Sequence, residues 1–256
     1  MKAFSAPERR NGWTLPMRFL RSRFSRKGYL GLHLTLGLIV IVTASACFTD
    51  VAEDMSQEAA TRMLGERVAV WFHAHATSGW TEFARLMSSF GSVAFLAGAS
   101  AVSVILSLRK RAWSFAVMLA VTMLGRSLLN LLLKHIFHRH RPGLENPLVT
   151  LNSFGFPSGH TMGASLFYGL LALWAMQLTS RTAVRVLIAM AAALVIAAVG
   201  WSRIYLGAHY LTDVLGAIAA SIAWLTVCWT GLETFRRWHR LRRGDLPKIV
   251  TRPGNS

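Results

Sequence analysis

Three clusters in the second half of this 256-residue chain carry the residue types that handle phosphate without a metal ion. Lys134 is followed, after six intervening residues, by Arg141-Pro142. Pro157-Ser158-Gly159-His160 comes next, and Ser202-Arg203 precedes His209, with Asp213 four positions further on. Lysine and arginine neutralise phosphate oxygens, a serine and backbone amides at a helix start add donors, and two histidines supply a nucleophile and an acid. Pro157 suits the first turn of a helix, so the amides around Ser158 and Gly159 are expected to cradle an anion with help from the helix dipole. Lys134, Arg141 and Arg203 are expected to surround the remaining oxygens and to hold the charge of a five-coordinate phosphorus as it forms.

The spacing of His209 and Asp213 places them on one face if that segment is helical, so the carboxylate can fix the imidazole tautomer and leave the other ring nitrogen facing phosphorus. His160 is then left to protonate the leaving oxygen and to activate water. Taken singly, Lys134 or Arg141 reads as an interfacial anchor and His160 as a hydrogen-bonded structural residue. Independent anchors have no reason to fall at these spacings on one side of a membrane.

Eleven positions in this order resemble the type 2 phosphatidic acid phosphatase superfamily, which also includes the vanadium haloperoxidases, and none of the motif positions departs from that pattern. The resemblance covers roughly Leu86–Leu232. It implies that His209, His160 and Asp213 serve as nucleophile, leaving-group acid and orienting carboxylate, and that the intermediate is a phosphohistidine. No cofactor is expected.

The elements that must position these residues are membrane helices. The chain is 53% hydrophobic and only 15% charged, which suits a polytopic membrane protein rather than a soluble domain. Apolar runs of membrane-spanning length occupy Gly28–Thr49, Leu86–Leu108, Ala112–Leu133, Thr161–Ser180, Val186–Ser202 and Val214–Leu232. The expected fold is therefore all-α: a six-helix transmembrane bundle over residues 29–232, with basic tails at 1–28 and 233–256 and short interfacial helices in the first outer loop.

Charge assigns the sides. The first 28 residues carry eight Lys and Arg against Glu8, and seven basic residues follow Leu232, so the positive-inside rule puts both tails in the cytoplasm. The loop Asp50–Arg85 holds six of the eleven acids and is expected outside, where Trp71, Phe72, Trp80 and Phe83 would sit at headgroup level. All three motifs then converge on the extracytoplasmic face of a membrane, read as a bacterial inner membrane. There Lys134, Arg139 and Arg141 break the charge rule, which points to an anionic substrate. The stretch Gly143–Phe156, with Gly143, Pro147, Asn152 and Gly155, is expected to be a loop bordering the entrance.

Other readings fare less well. The net charge of +17 lies mostly in the tails, without a nucleic-acid-binding module, so it orients the protein and touches anionic lipid. Ala44-Ser45-Ala46 before Cys47 has the look of a processing site, but the long basic segment ahead of it favours an uncleaved anchor. Cys47 and Cys228 fall at opposite ends of their spans and are expected to be packed thiols rather than a disulfide. His73 and His75, and His135, His138 and His140, lack the cysteine or carboxylate partners of a zinc site.

The expected substrate is a membrane lipid phosphate or diphosphate, such as phosphatidic acid, phosphatidylglycerophosphate or an isoprenoid diphosphate. A phosphotransferase acting on a lipid acceptor would use the same site. A haloperoxidase on a soluble scaffold is disfavoured by the apolar spans, and a non-catalytic lipid-binding or transport protein by the two histidines. Finally, Arg126, Asn130 and Lys134 form a polar stripe on one helix face, expected to support Asp213 or Lys134 from beneath the site.

Overall fold

The computed structural model describes residues 32–57, 59–143, 148–149 and 153–242. The expected N-terminal tail, the end of the C-terminal tail and most of the loop between Gly143 and Phe156 lie outside the described residues. Among the described residues there are eight helices and no strands. They are α1 (Leu32–Gln57), α2 (Ala59–Ala74), α3 (Ser78–Ser89), α4 (Val93–Arg109), α5 (Trp113–Phe137), α6 (Gly159–Gln177), α7 (Thr182–Tyr205) and α8 (Leu211–Arg242).

Local chemistry sets several helix starts. Thr77, Ser92 and Ser158 are N-caps whose hydroxyls accept from Trp80 N, Phe95 N and Thr161 N, so orphan amides of α3, α4 and α6 are satisfied without the preceding chain. At its far end α5 stops where His138 takes a left-handed conformation (φ 44°, ψ 30°) and its N–H closes on Lys134 O. The chain then leaves the bundle as a segment without regular secondary structure that carries Arg139 and Arg141.

Among the described residues, four helical segments are long and apolar enough to cross a membrane: His33–Asp54, Trp113–Phe137, Thr182–Tyr205 and Leu211–Arg236. A fifth crossing is available if α3 and α4, bent by 42° at Phe90–Ser92, act as one broken span. The six-span count is thus approximate, and the expected run Leu86–Leu108 is divided between two helices, with Leu86 inside α3. The expected fourth span, α6, is a helix of 19 residues that falls outside this set. It begins with polar residues and is largely covered by its neighbours, so it needs less lipid-compatible surface than the helices around it.

α6 is the centre of the bundle and packs against α5, α7 and α8, while α1 lies along α8 and α3 lies across α7. Leu96, Phe115, Met118, Leu119, Phe167 and Leu170 join α4, α5 and α6 in one apolar cluster; Met162, Leu166, Ala217 and Ala220 join α6 to α8. α3 turns Thr81, Ala84 and Ser88 inward on one face and meets Tyr205 and Leu206 at the end of α7. A β-carbon added at Gly91 would stand 2.9 Å from the carbonyl oxygen of His160, so the bend between α3 and α4 can close against the start of α6 only with glycine there.

Two smaller expectations change. Cys47 is exposed on α1 rather than packed, whereas Cys228 is partly buried, and both are free thiols. α8 continues through the expected boundary at Leu232 to Arg242. His73 does lie at the end of a short helix, α2, and the neighbouring His75 stacks on Trp71 at 4.6 Å.

Candidate active site

Lys134 near the end of α5, Ser158 at the start of α6, Arg203 near the end of α7 and Asp213 in the first turn of α8 all occupy one end of the bundle. Antiparallel packing brings these helix ends together, which is how motifs scattered over 80 residues of sequence converge.

His209 lies in the turn before α8, not on the helix, so its relation to Asp213 is not the helical one expected. The contact forms all the same. Asp213 Oδ2 accepts from His209 Nδ1 at 3.3 Å and from the N–H of Tyr210 at 2.9 Å. The carbonyl of Tyr210 accepts the first bonds of α8, so Asp213 reaches back to the cap residue as the acidic member of a capping box does. The carboxylate therefore starts the helix and orients the imidazole together.

With Nδ1–H donated to Asp213, the other ring nitrogen, Nε2, carries the lone pair. Arg141 Nη1 lies 3.2 Å from it and also donates to Ala208 O at 2.6 Å. Burial pushes the His209 imidazole down to about 4, against the upward pull of Asp213, so the ring is neutral at physiological pH. A buried neutral imidazole oriented by a carboxylate is a nucleophile in its reactive form.

The cationic residues differ in how fully they are engaged. Lys134 Nζ donates to Ser153 Oγ at 3.0 Å, and Arg141 uses Nε and Nη2 on Ser153 and Phe154 of the same loop. Arg203 is only 2% exposed; its Nη1 donates to Ser88 Oγ at 2.6 Å, while Nε and Nη2 have no protein partner. A buried guanidinium with unpaired donors is costly unless an anion meets them.

At the start of α6, Ser158 is fully buried and its hydroxyl accepts from Thr161 Oγ1 at 3.0 Å. Its own N–H is taken by Asp213 O at 3.1 Å, so the expected anion cradle cannot include that amide. The N–H groups of Gly159 and His160 belong to the first turn, where no intrahelical acceptor exists. His160 is half-buried there, within the fields of Arg203, His209, Arg126 and Arg141.

Beneath this turn, Arg126 Nη2 donates to Gly159 O at 2.7 Å and Asn130 Nδ2 to Pro157 O at 3.3 Å. The polar stripe on α5 thus meets the backbone of the cradle rather than Asp213, and Arg126 Nε has no partner. The cation on Asp213 is Arg139, whose Nη1 lies 2.5 Å from Oδ1. Sequence reasoning placed Arg139 only in a basic segment. It missed Ser88, Ser153 and the Tyr210 amide altogether, and the acid in the third position of a helix was the one available signal for the last.

Lys134, Arg141 and Ser153 border a cavity of about 480 Å³ that also touches Leu131, His135 and Phe154. Leu124 and Leu128, two turns and one turn below Leu131 on α5, are 74% and 70% exposed. An apolar strip therefore leads up the outside of the bundle to the cationic cavity. Among the described residues, no group of three His, Cys, Asp or Glu is arranged to hold a metal ion.

Comparison with known proteins agrees with this architecture. The sequence model of the PAP2 superfamily matches residues 111–237. Phosphatidylglycerophosphatase B of Bacillus subtilis (strain 168) is 37% identical over 114 residues, which are 44% of this chain and 55% of the relative. The chain thus matches about half the length of that curated relative. A crystal structure of a transmembrane PAP2-type phosphatidylglycerolphosphate phosphatase from Bacillus subtilis superposes with a TM-score of 0.66 at 24% identity, covering 82% of this chain and 98% of the other. That likeness is one of fold.

Proposed function

We propose that this chain, whose residues 111–237 match the sequence model of the PAP2 superfamily, is an integral membrane phosphatase that hydrolyses phosphatidylglycerophosphate or a closely related lipid phosphate through a phosphohistidine. The observation that carries the reading is Arg203, buried with Nε and Nη2 unpaired at the same end of the bundle as an imidazole already oriented by Asp213. An anionic tetrahedral group supplies what those donors lack.

In the first step, His209 Nε2 attacks phosphorus and the phosphorus–oxygen ester bond breaks. His160, neutral in the empty site and protonated once the phosphate charge offsets the surrounding cations, donates that proton to the departing alcohol oxygen. Arg203, Arg141, Lys134 and the amides of Gly159 and His160 stabilise the charge on the equatorial oxygens, and Asp213 stabilises the positive imidazole. In the second step, His160 takes a proton from water, the water oxygen bonds to phosphorus, and the phosphorus–nitrogen bond breaks. Inorganic phosphate leaves and His209 returns to its neutral form.

The apolar strip on α5 supports entry from the bilayer, with acyl chains along Leu124 and Leu128 and the headgroup in the cavity by Lys134. The distribution of Lys and Arg supports an extracytoplasmic site with both basic tails inside. The test is phosphate release in detergent from phosphatidylglycerophosphate, phosphatidic acid and an isoprenoid diphosphate, by wild type and His209→Ala. Release from at least one lipid, lost in the variant, is expected. Equal release by both proteins, or none from any lipid, overturns the reading.

A further inference from the structure

We propose that Arg139 is a positioning residue for the nucleophile: it neutralises and orients the Asp213 carboxylate, which in turn holds the His209 imidazole with its bare nitrogen toward phosphorus. The assignment rests on the phosphohistidine reading above, and none of the three motifs includes Arg139.

Its contacts are specific. Asp213 is fully buried, with Oδ1 on Arg139 and Oδ2 shared between His209 Nδ1 and the Tyr210 amide. A buried carboxylate needs a cationic partner, and the neutral ring of His209 does not provide one. The same Arg139 nitrogen donates to Thr212 Oγ1 at 2.7 Å, and the guanidinium lies 4.5 Å above the Tyr210 ring. One side chain therefore grips the turn at Tyr210, Thr212 and Asp213.

The backbone closes the arrangement. Arg139 O accepts from Gly155 N at 2.7 Å, and Asp213 O accepts from Ser158 N at 3.1 Å. Segment 139–141, loop 153–158 and turn 209–213 are thus tied in a ring in which Arg139 and Asp213 each use side chain and main chain. Arg139 and Arg141 both reach the turn, Arg139 behind the imidazole through Asp213 and Arg141 at Nε2. His140, between them, is exposed.

The charged and titratable groups around His209 are Asp213, Arg141, Arg203 and His160, with Arg139 behind Asp213. Without Arg139, the buried carboxylate has His209 as the partner able to gain a positive charge at contact distance. Protonation of the ring then becomes easier, and its ionisation midpoint rises.

The test compares wild type, Arg139→Gln and Arg139→Lys as full-length protein in detergent. One readout is kcat and KM on the lipid phosphate that wild type hydrolyses. The other is the midpoint of His209 ionisation, from hydrogen–deuterium exchange at the imidazole C2 position followed by mass spectrometry. Arg139→Gln is expected to lower kcat about 30-fold or more, change KM less than about 3-fold, and raise the His209 midpoint by about one unit or more. Arg139→Lys, which keeps the charge and loses the fork, is expected to recover most of the loss and to keep the midpoint near wild type. If Arg139→Gln does not fold, Arg139→Lys carries the test, with kcat about 3- to 10-fold down at unchanged KM. A loss confined to KM, or an unmoved midpoint in Arg139→Gln, overturns the assignment. If wild type releases phosphate from no lipid, the phosphatase reading fails, and the His209 midpoint still decides the role of Arg139.

Discussion

Replacing Arg126 with leucine separates the energetics of the bundle from those of the site. Arg126 is buried in α5, donates one hydrogen bond to Gly159 O, and leaves Nε unpaired. Losing a charge-assisted bond of this kind costs about 1.5–3 kcal/mol. Removing an intramembrane arginine returns at least about 2.5 kcal/mol. The two nearly cancel, so the melting temperature in detergent should stay within about 4 °C of wild type, given about 2–4 °C per kcal/mol for a protein of this size. Turnover has no such compensation. The Gly159 carbonyl belongs to the turn that presents the Gly159 and His160 amides, and a tilt there misaims donors whose individual loss is worth roughly 10²–10³ in rate. A tenfold or greater fall in kcat is therefore expected, measured as phosphate release. Gly163→Ala should mimic it from the other side, because the added β-carbon would stand 2.9 Å from Arg126 Nη2 and 2.5 Å from Leu96 Cδ1. Unchanged turnover in Arg126→Leu, or a loss that tracks a lower melting temperature, would refute the argument.

Phosphate release should continue in EDTA and be inhibited by vanadate, which resembles the five-coordinate state; full loss on chelation with recovery in magnesium would contradict the cationic site. The His209 ring is held down to about 4, below its unfolded value of about 6.5, so the folded state binds fewer protons in that interval. The corresponding stability is complete above pH about 6.5 and fades as pH falls toward about 4, and His209→Gln should lack that component of the melting profile. In a Cys47→Ser, Cys228→Ser background, a His138→Cys thiol should react with an impermeant reagent added outside cells while a reporter after Ser256 behaves as cytoplasmic. The reverse pattern would place the site inside.

Much of the candidate site was legible because its residues are short-range signals. Pro157-Ser158 announces a helix start, and Ser158 is the cap; an acid four residues after a histidine announces an oriented imidazole, and the contact exists even though His209 precedes the helix. The span count was less legible because hydropathy measures exposure to lipid, and α6 is sheltered by its neighbours at the centre of the bundle. The break between α3 and α4 was hidden for a related reason. Gly91 reads as one more small residue in an apolar run, and only its proximity to His160 gives it meaning. Long-range partners left no local trace: Ser88 is 115 residues from Arg203, and Arg139 is 74 from Asp213. Basic character marked Arg139 as unusual, but nothing nearby in sequence distinguished a phosphate ligand from the counter-ion of a buried acid.

That distinction decides how the charges of the site should be counted. Lys134, Arg126, Arg139, Arg141 and Arg203 gather at one end of the bundle with Asp213 as the acid at the centre. If Arg141 or Arg203 were the counter-ion, the carboxylate would compete with phosphate for the residues proposed to bind it. Arg139 satisfies Oδ1 from behind, so the acid is neutralised without drawing on the cations near the His209 imidazole. Lys134 and Arg141 are held by the hydroxyl and carbonyls of Ser153 and Phe154, neutral groups that an arriving phosphate can outcompete. Arg203 has two nitrogens with no protein acceptor at all. The resting protein thus carries a surplus of positive charge whose fixed partners are weak, around a carboxylate whose fixed partner is strong. An anion gains by entering, and the imidazole it meets is already turned.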